Sequence, residues 1–199
     1  MTSPMPIARI KVVLDDVEPT VMRRLEIPLS LRLDRLHTVL QVAMGWTDSH
    51  LYEFRIKGIG FGLPDPDGSY RDGPLDARKT TLVNAISDTG AKAFKYLYDF
   101  GDGWEHSIKI ERMTMAVDGL TYPRLLDACG HCPPEDIGGP WGYQEAREAL
   151  ADPDHERHDE ITEWWGADNL HLDTVDIPAI EAELTKLARR WSRKPRAKA

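Results

Sequence analysis

Between Ala8 and Leu14 the chain alternates, with Ile10, Val12 and Leu14 on one side and Arg9 and Lys11 on the other. A period of two sends successive side chains to opposite faces, so this stretch predicts a strand with one buried face. Val21, Leu25 and Ile27 continue the pattern after the turn Asp15-Asp16-Val17-Glu18-Pro19, and the pair reads as a β-hairpin. The spacing then changes. Leu33, Leu36, Leu40, Ala43 and Met44 recur at helical intervals, and Gly45 is placed to stop the helix. His37 lies beside this stripe and reads as a packed or hydrogen-bonded residue of the core edge. His50, Tyr52, Phe54 and Ile56 return to alternation as a third strand, and Thr81 to Ser87 predicts a short helix with Leu82, Val83 and Ile86 inward. Phe94, Tyr96, Tyr98 and Phe100 are four aromatics at period two, the strongest strand signal in the chain. Gly101-Asp102-Gly103 makes a turn, and Trp104, His106, Ile108 and Ile110 form the return strand. The aromatic row is the core face of a sheet or a stacking platform for a ring.

Hairpin, helix, strand, short helix and strand is the element order of a β-grasp. The expected class is therefore α+β, with a mixed or antiparallel sheet around a β-grasp-like core and a helical C-terminal part. Residues 57–79 hold five glycines, three prolines and four aspartates and read as a long exposed loop, either a lid or an insertion. Residues 1–128 form the β-rich part. Residues 129–142 have neither period and form an ordered loop with both cysteines, three prolines and four glycines. Residues 143–191 supply helices packed on the core to give one globular domain. The first is Tyr143 to Ala151, the second an acidic helix from Asp154 to Trp165. The last is capped by Asp176 and carries the stripe Ile177, Ile180, Leu184, Leu187 and Trp191.

Charge changes this picture at one end. The formal net charge is −8, yet 189–199 carry six of the 25 basic groups and no acidic one, which leaves 19 basic against 33 acidic, a net of −14, for the rest. Such a body repels phosphate backbones. The tail from 192 to 199, with the turn before it, offers Arg189, Arg190, Arg193, Lys194, Arg196 and Lys198 for a nucleic-acid contact, or is a solvated end. No apolar run has the roughly 20 residues of a membrane span. The first residues lack the charged and apolar regions of a signal peptide, so the expectation is a cytoplasmic chain with reduced thiols.

Three groups of residues have the chemistry of a site. Cys129 and Cys132 have the two-residue spacing that lets two thiolates share a zinc ion. His155 and His158, three apart on the expected acidic helix, complete a candidate metal set, although the 22-residue gap and the His-x-x-His spacing both miss the common zinc-finger pattern. Cys-Gly-His-Cys is also the tetrapeptide of protein disulfide isomerases, but Pro133-Pro134 disfavours the helix start that such a thiol needs. The third group is polar: Asp99, Asp102 and His106 around the aromatic hairpin, with Glu135 and Asp136 from the central loop, residue types that hold a divalent ion or move protons. Strand alternation points Asp99 away from the aromatic face, so convergence of this group is an open question.

Ala43-Met44-Gly45-Trp46, Asp48-Ser49-His50-Leu51, Tyr98-Asp99-Phe100-Gly101-Asp102-Gly103-Trp104-Glu105-His106, Cys132-Pro133-Pro134-Glu135-Asp136 and Gly138-Gly139-Pro140-Trp141-Gly142-Tyr143 resemble the plasmid pRiA4b ORF-3-like family, over roughly residues 7 to 188. The resemblance implies an α+β domain of bacteria and archaea, often encoded on plasmids or near mobile elements and in some members labelled resolvase-like. Members often carry a second cysteine after Pro-Pro-Glu-Asp, where this chain has Ile137, so Cys132 matches the pattern and Cys129 does not. Serine recombination needs a nucleophilic serine among arginines. Here Ser49 sits between Asp48 and His50, and Ser107 has only Lys109 near it on its face.

The leading expectation is a non-enzymatic binding module whose ligand lies between the aromatic hairpin and the central loop, against His50, Asp99, Asp102, Trp104, His106, Glu135, Asp136 and Trp141. The alternatives are a metal-dependent, possibly zinc, enzyme acting on nucleic acid, and a nucleic-acid contact through the basic tail.

Overall fold

The computed structural model describes residues 5–64, 73–166 and 175–192. The alternating first stretch forms β1 (Pro6–Leu14), which pairs antiparallel with β2 (Met22–Pro28). Helix α1 (Leu33–Met44) follows and ends at Gly45, whose φ of 92° is the left-handed conformation that stops a helix. Strands β3 (Tyr52–Ile56) and β4 (Ile59–Gly62) make a second hairpin, joined at its edge by the two-residue β5 (Leu75–Asp76). Helix α2 (Leu82–Thr89) is capped by Thr81, whose hydroxyl accepts from the Asn84 N–H at 3.3 Å. Its inward residues are Leu82, Ala85 and Ile86, and Val83 is exposed.

Strands β6 (Ala93–Tyr98), β7 (Trp104–Met115) and β8 (Arg124–Cys129) complete one sheet, in the order β5-β4-β3-β6-β7-β1-β2-β8. Every pair is antiparallel except β4 with β5, so the sheet is mixed and the fold is α+β.

One face of this sheet is apolar. Ala8, Ile10, Val12, Leu25, Ile27, Phe54, Tyr96, Tyr98, Trp104 and Ile108 lie on it, and all are buried. Helix α5 (Ile177–Ser192) covers β8 and packs on α1, while α2 lies against β3. The expected stripe of α5 faces this core: Leu184 and Leu187 are buried, with Ile177, Ile180 and Trp191 packed around them. The other face carries charge that is paired across strands, Arg9 with Glu26, Arg24 with Glu111 and Asp127, and Lys95 with Asp15 and Glu105. Partly exposed pairs of this kind each contribute on the order of 0–1 kcal/mol, so they set register and solubility more than stability. Helices α3 (Gly139–Ala151) and α4 (His158–Trp165) bury Ala146, Ala149, Leu150 and Ile161 in a satellite core, and Ile137 and Trp165 bridge it to the main one.

The structure revises three expectations. The 57–79 stretch is a loop only in part, because it contains β4 and β5, while residues 65–72 lie outside the described residues. One of its glycines reads as a loop signal but serves close backbone approach: a Cβ on Gly62 would stand 2.8 Å from the Tyr52 carbonyl oxygen. The aromatic strand stops at Tyr98, and Phe100 is exposed in the turn. The acidic helix begins at His158, not Asp154, because the Asp152 side chain and carbonyl accept from the Asp154 and His155 N–H groups and close a turn first. Among the described residues no helix is long and apolar enough to cross a membrane.

Candidate metal centre

Three segments distant in sequence meet at one corner of the sheet. The first is Thr47 to His50, which follows α1. Gln41 on the last turn of α1 accepts from the Asp48 N–H at 2.9 Å, and the Tyr98 hydroxyl accepts from the Ser49 N–H at 3.0 Å. Gln41 itself donates to the Tyr96 hydroxyl at 3.0 Å, which also meets His37 Nδ1 at 2.7 Å. His37 is buried, stacks on Tyr52 and contacts Asp48 at 2.5 Å. Burial holds its pKa below the usual histidine range, with the Asp48 carboxylate offsetting part of the shift. The aromatic row is thus a core face whose hydroxyls reach up and fix the loop that carries His50.

The second segment is the turn after β6. Asp99 has φ 54°, so the strand ends there and its side chain does not follow the alternation of the residues before it. Its Oδ1 accepts from the Gly101 N–H at 2.9 Å, and its Oδ2 lies 3.5 Å from His50 Nε2.

The third segment is the central loop. Trp46, packed against Tyr98, Trp104 and His106, donates its indole N–H to the Pro133 carbonyl at 2.9 Å. Asp102 accepts from the Gly138 N–H at 3.2 Å. Gly139, with φ 70°, runs so close to Asp102 that a Cβ would stand 2.2 Å from its carbonyl oxygen. Clamped at both points, the loop presents Glu135 and Asp136. Glu135 accepts from the Tyr98 hydroxyl and from the Thr47 hydroxyl and N–H. Burial and this carboxylate together push the Tyr98 phenol well above its usual range, which keeps it a donor. Asp136, also left-handed at φ 62°, places Oδ1 3.1 Å from His50 Nε2.

His50, Asp99 and Asp136 are therefore one cluster, with a ligand atom from each within 4.8 Å of the other two. His50 Nε2 is shielded from solvent and within charge-pairing distance of both carboxylates, yet hydrogen-bonded to neither. Donors about 2.1 Å from a common ion lie roughly 3–4 Å from one another, so the spacing suits one small cation. One imidazole nitrogen with two carboxylate oxygens is a donor set for zinc, manganese or iron(II) rather than for a soft thiophilic ion. The cluster opens toward solvent at Asp136, whose side chain is 73% exposed, so an ion held by these three donors would keep positions free for a further ligand.

The family model for the plasmid pRiA4b ORF-3-like protein matches residues 6–179. The chain belongs to that family. It is 59% identical over 192 residues to an uncharacterised protein, y4hQ, of Sinorhizobium fredii, covering 96% of this chain and 97% of the relative. Among solved structures it resembles that of a protein of unknown function, MM3350, from Methanosarcina mazei Go1, with 27% identity, a TM-score of 0.78, and coverage of 88% of this chain and 98% of that one. The α+β architecture is thus shared with an archaeal protein.

Within this pRiA4b ORF-3-like fold the expected site residues separate. His50, Asp99 and Asp136 converge, with Glu135 beside them. Asp102 holds the loop. Trp104 and His106 are fully buried on the core face beneath, apart from this cluster. Trp141 is 89% exposed on α3 and lines a different groove.

The Cys/His set is not assembled. Among the described residues the His50 cluster is the one group of three or more such side chains with metal-holding spacing. Cys129 ends β8 exposed and Cys132 is buried, both as free thiols. His155 lies in the turn before α4, and its Nδ1 accepts from the Arg157 N–H, while His158 donates to the Ala149 carbonyl at 2.8 Å. Of the basic tail, Arg189 and Arg190 lie on α5, and Arg193, Lys194, Arg196 and Lys198 lie outside the described residues. The sequence reading missed Gln41, Thr47, Ser49 and Tyr98. The signal available was the polar run Thr47-Asp48-Ser49-His50 directly after a helix stop.

Proposed function

We propose that this family member is a metal-holding binding module, in which His50, Asp99 and Asp136 bind one divalent first-row metal ion. The open positions of that ion take an oxygen- or nitrogen-donor ligand. The observation that carries the reading is the solvent-shielded His50 Nε2, set between two carboxylates and hydrogen-bonded to neither. Glu135 is committed to Tyr98 and Thr47, so it orients the loop and is not a free base.

The test is titration of the tag-free protein with zinc and with manganese, followed by calorimetry and by urea unfolding. A bound ion at about 100 times its Kd raises unfolding stability by about 2.7 kcal/mol. One equivalent is expected to bind. Asp136→Asn should weaken binding at least tenfold while leaving metal-free stability within about 0.5 kcal/mol, because its side chain is exposed. Equal binding by wild type, Asp136→Asn and His50→Ala would end the proposal.

A further inference from the structure

A second feature lies on the other side of the central loop and is independent of the cation site. The β1–β2 turn and the start of α3 enclose an open groove of about 770 Å³, lined by Val13, Asp15, Asp16, Glu18, Trp141 and Gln144 among others. A shallower groove of about 460 Å³ continues it past Glu18 and Gln144 to Arg147 and Glu148. Trp141, 89% exposed, is the most solvent-accessible of the large exposed apolar side chains among the described residues. Asp15 is neutralised by Lys95, but among the described residues no cation pairs with the carboxylates of Asp16 or Glu18. The Arg147 guanidinium is spoken for, since it donates to the Glu18 backbone carbonyl and lies over the Tyr143 ring. An open indole face beside uncompensated carboxylates is the surface that takes lysine and arginine side chains, through cation–π and charge contacts together.

The chain itself contains a segment of that chemistry. Residues 189–198 carry six basic groups and no acidic one, against a body of the opposite sign. We infer that the Trp141 groove binds the basic C-terminal segment of a second copy of this chain. A molecule's own segment is at the wrong end. Trp191 lines one cavity with Met5, Pro28 and Ser30, where β1 begins, whereas the groove lies where β1 ends. From Met5 to Asp15 the strand direction covers about 33 Å at ~3.3 Å per residue. Arg193 to Lys198 reach at most about 21 Å beyond Ser192 even when extended. The contact is therefore made between copies, the segment of one in the groove of another.

Sedimentation of the full chain over a range of concentrations tests this. Concentration-dependent association is expected, weakening by roughly tenfold or more between about 0.05 M and about 0.5 M salt as the charges are screened. Glu18→Lys and Trp141→Ala should each reduce it. So should reversal of the tail by Arg193→Glu, Lys194→Glu, Arg196→Glu and Lys198→Glu. Glu18 and Trp141 are exposed, and unchanged thermal melting in every variant separates lost association from lost fold. Mixing the Glu18→Lys protein with the tail-reversed protein should restore a complex that neither forms alone, and a synthetic peptide of residues 189–198 should compete with association of the wild type. A chain that stays monomeric at every concentration and salt would overturn the inference. So would association indifferent to Glu18 and Trp141, or a tail that binds duplex nucleic acid while groove variants associate normally.

Discussion

The central loop meets the sheet at two corners that satisfy their charge in opposite ways. At the Cys129 corner a cation is buried without an anion. Arg23 sits on the core side of β2, 2% exposed, and donates from Nε to the Ala43 carbonyl at 2.7 Å and from Nη1 to those of Met22, Cys129 and Gly130 at 2.8–3.0 Å. Burial lowers its pKa, and burial also pushes the neighbouring Cys132 thiol far up, so that sulfur stays protonated and offers no counter-charge. At the Asp136 corner the reverse holds: two carboxylates crowd a histidine nitrogen that bonds to neither, and among the described residues no lysine or arginine pairs with them. The first corner is a closed structural staple joining the end of α1, β8 and the loop. The second has donor atoms in surplus. A polar group whose partners are all internal maintains the fold, whereas a partly exposed cluster with capacity left over is a candidate for a ligand.

The strongest way to break this contrast is to remove the cation. Arg23→Met leaves the Ala43, Cys129 and Gly130 carbonyls without their donor, and it should cost about 3 kcal/mol or more, read as a lower urea midpoint at unchanged slope. Metal affinity of the folded fraction should not move. A near-neutral Arg23→Met would mean that desolvating the guanidinium cancels its four bonds, and the staple reading would fall.

Next in size is a pH effect from the core between the two corners. His106 is fully buried, and burial lowers its pKa to about 4. Its Nδ1–H donates toward the Tyr96 and Trp104 carbonyls at 3.2 and 3.1 Å. The folded state therefore keeps the ring neutral where an unfolded chain, at about 6.5, has begun to protonate. Between about pH 6.5 and pH 4 the unfolded state binds more protons, so stability falls as pH falls. The loss from this residue is complete near pH 4 and amounts to about 3 kcal/mol. His37, lowered in the same direction, adds to it. Urea midpoints across that window should flatten in His106→Gln, and an unchanged slope would assign acid sensitivity to other groups.

Much of the fold was legible because period and burial coincide. The alternations in β1, β2, β3, β6 and β7 and the helical stripes of α1 and α5 each face a single core, so local pattern and tertiary role agree. Strands β4 and β8 were not legible. In β4 the glycines at 60 and 62 are there for crowding by Glu53, Pro74 and the Tyr52 carbonyl, which a sequence does not display. For the site, residue types were readable and convergence was not. Extrapolating the strand through Asp99 aimed it away from the cluster, because one left-handed residue ends the alternation. The cysteine spacing was the more conspicuous motif, yet a two-residue spacing brings only two donors, and the histidines meant to complete it bond instead to the Arg157 N–H and the Ala149 carbonyl.

The smallest effect separates holding a donor from being one. Tyr98 touches no proposed metal position, but its hydroxyl accepts from Ser49 N–H and donates to Glu135, tying the His50 segment to the loop that carries Asp136. Tyr98→Phe keeps the ring packing with Trp46 and leaves the Ser49 N–H without its acceptor, so it should cost about 1 kcal/mol in stability. Metal affinity should fall by only a few-fold, since all three donors remain, and the loss should exceed what the same stability change causes elsewhere in the core. Ile108→Val, buried on the same face, is the control and should leave affinity unchanged. Equal affinities in the two variants would show that Gln41 alone places His50. A loss in Tyr98→Phe as large as in Asp136→Asn would show that Glu135, once released, had been acting as a ligand.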